Sequence, residues 1–114
     1  MIKYFLLLTT ISAFSANSYA AINCSGQIEV LLQYSNGDVN VRTSYRGDYT
    51  VFCNLENRWK DVSPEACRGM LSILLAAKST GKPILTYYPT SAYSCESLPI
   101  YGSTPAPTYV GLVE

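Results

Sequence analysis

Four cysteines behind an apolar N-terminus constrain this chain more than any other feature of its sequence. Cys24, Cys53, Cys67 and Cys95 form an even set, and none of them lies in the apolar leader. An even number of cysteines in a short exported chain is typical of a disulfide framework rather than of a metal site. The set therefore predicts an oxidising compartment, secreted or periplasmic, and two disulfides that close one small domain.

Residues 1–20 have the pattern of a cleavable secretory signal peptide. Lys3 gives a positive start, a short apolar stretch follows, and Ser18-Tyr19-Ala20 places small residues where signal peptidase cleaves. The apolar stretch is too short to anchor the chain across the roughly 30 Å of a bilayer's hydrocarbon core. We therefore expect cleavage before Ala21, a single mature domain over residues 21–114, and no membrane insertion after cleavage.

The charge and composition of the mature chain argue against several classes of partner and activity. The leader holds one of the eight basic residues and none of the eight acidic residues, so the net charge after cleavage is −1. Proteins that bind nucleic acid or anionic membranes need a basic face, so we expect neither partner. The chain has no histidine, which is the commonest general base and metal ligand. Because the acidic residues are also scattered singly, we predict no catalytic activity, no metal and no cofactor.

Alternating apolar residues predict three meandering strands in the first half of the mature chain. Residues 27–34 alternate up to Asn36-Gly37, a pair that favours a hairpin turn, and residues 39–44 alternate after it. A second turn at Arg46-Gly47-Asp48 leads into a third strand over residues 49–53. That tripeptide also matches a sequence that integrins recognise. We favour a plain turn, because three-residue matches are common by chance.

A helix is predicted from Ser63 to Gly81. Ser63 fits the N-cap and Pro64 the first helical position, while Gly81 can end the helix in a left-handed conformation. Two further strands, over residues 84–88 and 108–113, flank a loop rich in proline, serine and tyrosine. The order β-β-β-α-β-β with two disulfides predicts a mainly β chain with one helix, folded as an OB-like five-stranded barrel. An open α+β sheet with one packed helix is the alternative.

Four cysteines allow three pairings, and the sequence does not decide among them. We favour Cys53–Cys67, which would tie the end of the third strand to the start of the helix. The other bond would then be Cys24–Cys95, which would tie the N-terminus to the late loop. Each bond would remove about 3–4 kcal/mol of unfolded-state entropy according to the loop-length relation.

The tyrosines give the best indication of a binding role. Eight of the ten tyrosines remain after cleavage, and several of them lie in a stretch with few charges near the C-terminus. A tyrosine side chain offers an apolar ring for stacking and a hydroxyl for hydrogen bonding, which suits sugars and protein partners alike. Ordinary packing inside a small β domain is the competing explanation, and we favour it for most of them.

Three parts of the chain occur together in a recognisable order: the stretch from Cys53 to Trp59, the predicted helix, and Thr80-Gly81-Lys82-Pro83 followed by a strand that ends in Tyr87-Tyr88. In these parts the chain resembles the B subunits of subtilase cytotoxin and typhoid toxin, as well as small exported proteins of Gram-negative bacteria. The resemblance implies an OB fold, a homopentamer and the binding of sialylated glycans. It further implies that Ser25 holds the carboxylate of the sialic acid and that Tyr88 contacts its acyl group.

The sequence leaves two functional hypotheses open and disfavours a third. The first is an exported, non-catalytic glycan-binding module like a toxin B subunit, and it predicts that Tyr88 is exposed beside Ser25. The second is a periplasmic or surface domain with a structural or protein-interaction role, and it predicts that Tyr88 is buried. An exported enzyme is disfavoured by the absence of histidine.

Overall fold

The computed structural model describes residues 21–113, so the predicted signal peptide lies outside the described residues. Six strands form within this range: β1 (Ile22–Gly26), β2 (Ile28–Gln33), β3 (Asp38–Thr43), β4 (Tyr49–Asn54), β5 (Ile84–Tyr88) and β6 (Tyr109–Leu112). The helix α1 spans Pro64–Thr80, and a short 3₁₀-helix spans Cys95–Ser97. The chain is therefore mainly β with one α-helix, as predicted.

The strands form two separate antiparallel sheets of three strands each. The first has the order β1-β5-β6 and the second the order β2-β3-β4. The prediction of an OB-like five-stranded closed barrel is wrong, because within residues 21–113 no ladder of strand pairs joins the two sheets. The outer edge of β4 pairs with a loop instead: the Tyr101 amide donates to the Tyr49 carbonyl over 2.8 Å. This contact occupies an edge at which a barrel could have closed.

The chain crosses from one sheet to the other at Gln27, so β1 is a sixth strand that the sequence did not predict. The Gln27 amide donates to the Ser44 hydroxyl over 2.9 Å, and the Gln27 carbonyl accepts from the Ser44 amide over the same distance. A Cβ atom at Gly26 would clash with the Ser44 hydroxyl, so a larger residue there would displace this hydroxyl from the Gln27 amide. The crossing lets β1 pair with β5 while β2 pairs with β3.

The helix α1 has the ends that its sequence predicts, and it packs against both sheets. The Ser63 hydroxyl accepts a hydrogen bond from the Ala66 amide over 3.1 Å, and Gly81 ends the helix with φ +71°. The helix contacts β2, β4 and β6. Its buried residues therefore join the two sheets through one main core, in which Leu74 and Phe52 are fully buried.

The two disulfides are Cys53–Cys67 and Cys24–Cys95, the pairs favoured from the sequence. Cys53–Cys67 is fully buried and joins β4 to the first turn of α1. Cys24–Cys95 joins β1 to the 3₁₀-helix beside a second, smaller core cluster. Two disulfides are consistent with an oxidising, exported environment. Among residues 21–113, no helix has the length and apolar character needed to cross a bilayer.

Candidate functional site

Ser25 and Tyr88, which the toxin resemblance implies as glycan contacts, lie on opposite faces of the β1-β5-β6 sheet. Ser25 pairs with Leu85, whereas Tyr88 pairs with Ile22. Paired residues share a face and successive residues alternate, so Ser25 and Leu85 face outwards while Tyr88 faces the interior. Ser25 is exposed, and Tyr88 is 0% exposed. The structure therefore does not bring these two side chains together into one site.

Tyr88 belongs to a buried network of hydroxyl groups between the two sheets. Its hydroxyl lies 3.5 Å from the hydroxyl of Tyr45, which follows β3, and the Thr86 hydroxyl lies 3.0 Å from the same Tyr45 oxygen. Burial raises the pKa of Tyr88 well above its usual 10.0, because removal from water penalises the phenolate, and the nearby Tyr45 adds to this effect. The position of Tyr88 suits a structural role rather than contact with a ligand. The glycan hypothesis predicted Tyr88 to be exposed beside Ser25, which is wrong, and the burial of Tyr88 is the outcome that the structural or protein-interaction hypothesis predicted.

The outward-facing residues of the β1-β5-β6 sheet form an aromatic surface, which we name the tyrosine face. Its members are Asn23, Ser25, Leu85, Tyr87, Tyr109 and Gly111. Tyr87 and Tyr109 are directly paired, and their rings stack with centroids 5.3 Å apart and planes inclined by 20°. Tyr109 is 44% exposed. None of the six residues carries a formal charge, so the surface combines aromatic rings with neutral polar groups.

The Tyr109 side chain reaches across β5 to the neighbouring strand β1. Its hydroxyl donates a hydrogen bond to the Asn23 side-chain oxygen over 3.3 Å. Tyr109 is on β6 and Asn23 is on β1, and β5 lies between them, so the two backbones are about 10 Å apart. The hydrogen bond therefore links the two outer strands of the sheet, while the Tyr109 side chain remains exposed to solvent.

A second row of residues extends the tyrosine face beside the ring pair. Ser25, Leu85 and Gly111 are aligned across the three strands. A Cβ atom at Gly111 would meet only the Leu85 carbonyl oxygen, at 4.0 Å, so packing does not require glycine there. Gly111 therefore adds no side chain to the surface beside Tyr109. The Cys24–Cys95 disulfide begins beside Ser25 and anchors this edge of the sheet.

The Arg46-Gly47-Asp48 segment forms a turn whose charged side chains contact the fold itself. The Arg46 Nε donates to the Leu98 carbonyl over 2.5 Å, and the Asp48 carboxylate accepts from the Tyr49 amide over 2.8 Å. Gly47 has φ +69°, a conformation that favours glycine. These contacts favour the plain turn over an integrin ligand.

Neither the sequence pattern nor the toxin resemblance marks Asn23, Tyr87 or Tyr109 as a site residue. The alternation in β5 contains a usable signal, because Ile84, Thr86 and Tyr88 share one face and Tyr87 therefore belongs to the other. Asn23 has no comparable signal, since the pairing of β1 with β5 joins residues that are more than 60 positions apart.

The described part of the chain contains no group of three or more His, Cys, Asp or Glu side chains that could hold a metal ion. Comparisons with protein families, characterised proteins and solved structures found no match for this chain.

Proposed function

We propose that the mature chain is an exported, non-catalytic carbohydrate-binding module, secreted or periplasmic, and that the tyrosine face is its binding surface. A pyranose ring presents C–H groups on its flat sides and hydroxyl groups around its rim. The C–H groups pack on an aromatic ring, and the hydroxyl groups need polar partners placed nearby. The tyrosine face offers an exposed ring on Tyr109 together with the polar side chains of Asn23 and Ser25.

The observation that carries this proposal is the hydrogen bond between Tyr109 and Asn23 across β5. It fixes the Tyr109 hydroxyl before any ligand arrives, and stacking against Tyr87 restricts the ring further. A side chain that is already ordered loses little conformational entropy on binding, which favours affinity. The arrangement thus supplies a prepared stacking surface without a formal charge.

The proposal keeps one of the two contact residues that the toxin resemblance implies and replaces the other. Ser25 keeps a place as an exposed hydroxyl on the tyrosine face, whereas the outward tyrosine of β5 is Tyr87 rather than Tyr88. The homopentamer that the resemblance implies is part of the proposal. Native mass spectrometry of the oxidised mature protein tests it: a five-copy mass supports the ring, and a monomer contradicts it.

A protein-interaction domain is the second candidate function. Ile100 and Tyr101, on the loop that pairs with β4, are both exposed, and aromatic residues are enriched at protein interfaces. This candidate predicts that the folded protein binds no sugar. It also predicts that Ile100→Asp weakens binding to a protein partner while Tyr109→Ala does not.

A glycan array probed with the disulfide-intact mature protein tests the carbohydrate proposal. Tyr109→Ala should lower the affinity for the bound glycans about tenfold, because it removes the stacking surface. Tyr93→Ala is the matched control, since Tyr93 is 38% exposed and lies outside the tyrosine face. The proposal fails if the wild-type protein binds no glycan, or if the two variants lose affinity equally.

A further inference from the structure

We infer that the ligand is a neutral oligosaccharide of at least two sugar units, whose second unit binds in a cleft beside the tyrosine face, next to Lys60 and Asp61. This inference rests on the proposed carbohydrate-binding function. It adds a second subsite and assigns the charge and the minimum length of the ligand.

The cleft lies where β5 ends and β6 begins, and it has a volume of about 190 Å³. Its lining includes the Lys60–Val62 turn, Pro89, and the segment from Ala106 to Thr108. Pockets that enclose a drug-sized ligand measure roughly 300–1,000 Å³. The smaller volume here suits one small unit of a ligand whose remaining part binds elsewhere.

Two lining residues of the cleft follow the tyrosine face along β5 and β6. Tyr87 pairs with Tyr109, and Pro89 and Pro107 are each two residues beyond that pair in the direction of the cleft. The Thr108 amide donates to the Tyr87 carbonyl over 2.8 Å, so the pairing extends past the first residue of β6. Two residues of extended chain span about 7 Å. A sugar stacked on Tyr109 would therefore place its neighbouring unit at the cleft.

Backbone strain is concentrated around the same cleft. Within residues 21–113, the non-glycine residues with positive φ are Lys60 (+43°), Asp61 (+68°) and Tyr101 (+52°). Lys60 and Asp61 form a two-residue turn, closed by hydrogen bonds of 3.0 and 2.9 Å between Trp59 and Val62. Such turns favour asparagine, aspartate and glycine, so it is Lys60 that carries the cost of about 1–2 kcal/mol in this conformation. Strain of this kind clusters at functional sites and favours a role for the Lys60 side chain.

The Lys60 ammonium is held at the cleft by the neighbouring loop. It donates to the carbonyls of Gly102 and Thr104 over 2.8 and 2.6 Å, and it lies 4.8 Å from the centre of the Trp59 ring. An ammonium group has three N–H donors, so one donor is left for a ligand. A fixed donor at the wall of a small cleft suits a sugar oxygen.

Asp61 supplies the acceptor that the hydroxyl groups of a sugar require. Its side chain is exposed. Among residues 21–113, Arg42 and Glu29 form a salt bridge, and the Asp61 carboxylate forms none. A carboxylate has two oxygens and can accept hydrogen bonds from two adjacent hydroxyl groups. Lys60 and Asp61 together therefore offer one donor and a pair of acceptors to a sugar unit.

The charges favour a neutral ligand over an acidic one. The tyrosine face has no formal charge, and the charges of Lys60 and Asp61 cancel. An acidic sugar in the cleft would meet the Asp61 carboxylate, while the ammonium beside it already donates to two carbonyls. This expectation differs from the sialylated glycans that the toxin resemblance implies.

Isothermal titration calorimetry of the oxidised mature protein with paired sugars tests the inference. Galactose with lactose, glucose with maltose, and N-acetylglucosamine with N,N′-diacetylchitobiose measure the effect of the second unit. Lactose with 3′-sialyllactose measures the effect of adding an acidic sugar unit. Asp61→Asn removes the charge and keeps the turn, since asparagine tolerates positive φ. Glu56→Gln is the matched control on an exposed carboxylate outside the cleft lining.

We expect at least one disaccharide to bind about tenfold more tightly than its monosaccharide, the effect of one charge-assisted hydrogen bond. Asp61→Asn should remove this gain and Glu56→Gln should keep it. Thr108→Phe, at an exposed position that lines the cleft, should remove the gain by filling the space. Tighter binding of 3′-sialyllactose than of lactose would overturn the inference.

Failure of this inference is distinguishable from failure of the proposed function. If Tyr109→Ala abolishes sugar binding while Asp61→Asn and Thr108→Phe leave it unchanged, the carbohydrate proposal stands and the second subsite is wrong. If the wild-type protein binds none of these sugars and no glycan on the array, both are wrong.

Discussion

Replacing Cys24 and Cys95 together by alanine should destabilise the protein by about 4 kcal/mol. The two cysteines are separated by 71 positions, and for a loop of that length the chain-entropy relation gives about 4.4 kcal/mol at 25 °C. The bond also holds the loop that carries Leu98 against Tyr88 in the smaller core cluster. Its loss therefore removes a constraint from the unfolded chain and an anchor from the folded one.

Urea unfolding followed by circular dichroism measures this loss. In a thermal unfolding scan, a change of 4 kcal/mol would also lower the midpoint temperature of a domain of this size by roughly 16–32 °C. Cys53→Ala/Cys67→Ala provides the comparison, because a separation of 14 positions gives about 3 kcal/mol from loop closure alone. A loss below about 1 kcal/mol for the Cys24 and Cys95 pair would refute the reasoning, since the loop would then be held without the bond.

Other contacts can be tested by unfolding and labelling experiments. Gly37→Ala should cost about 1–3 kcal/mol, because Gly37 has φ +97° and an added Cβ would lie 2.7 Å from the Asn54 side-chain oxygen. An unchanged urea midpoint would contradict this. The stability that the raised pKa of Tyr88 provides is fully present below pH 10.0 and should be lost as the pH rises from there towards the folded-state pKa, because the unfolded chain ionises first. Unfolding free energies measured across this range should fall less for Tyr88→Phe, and equal slopes would refute the assignment. Mild reduction followed by alkylation and mass spectrometry should label half-buried Cys95 before buried Cys53, and simultaneous labelling would count against the order.

The features that depend on local chemistry were predictable from the sequence. Ser63 and Gly81 set the ends of the helix through a cap and a left-handed residue, and both effects involve only neighbours along the chain. The Asn36-Gly37 pair likewise gives the β2–β3 hairpin, in which Gly37 has positive φ. Each of these features needs no knowledge of the rest of the fold.

The features that depend on distant contacts were not predictable. The hydrogen bonds between Gln27 and Ser44 split the N-terminal segment between two sheets, and the pairing of Tyr101 with β4 occupies an edge of the second sheet. A register shift in β2 places Ile28 in the core while Val30 faces outwards, where strict alternation predicts that they share a face. Such contacts leave no periodic pattern in the sequence.

The candidate site shows how a one-residue error changes a functional prediction. Tyr87 and Tyr88 are adjacent, and a shift of one residue moves a side chain to the other face of a strand. The toxin resemblance points to Tyr88, whereas the burial pattern of β5 directs Tyr87 outwards. Tyr109 joins Tyr87 only through the pairing of β5 with β6, which the sequence does not specify.

Backbone amide chemical-shift changes during titration with the tightest-binding glycan from the array test the carbohydrate proposal most directly. The largest changes should fall on the tyrosine face, at residues 23–25, 85–87 and 109–111, with smaller changes in the interior around Tyr88. The Tyr109 ring resonances should shift as well. Changes confined to the loop around Ile100 and Tyr101, or to the β2-β3-β4 sheet, would contradict the proposal that the tyrosine face binds the sugar.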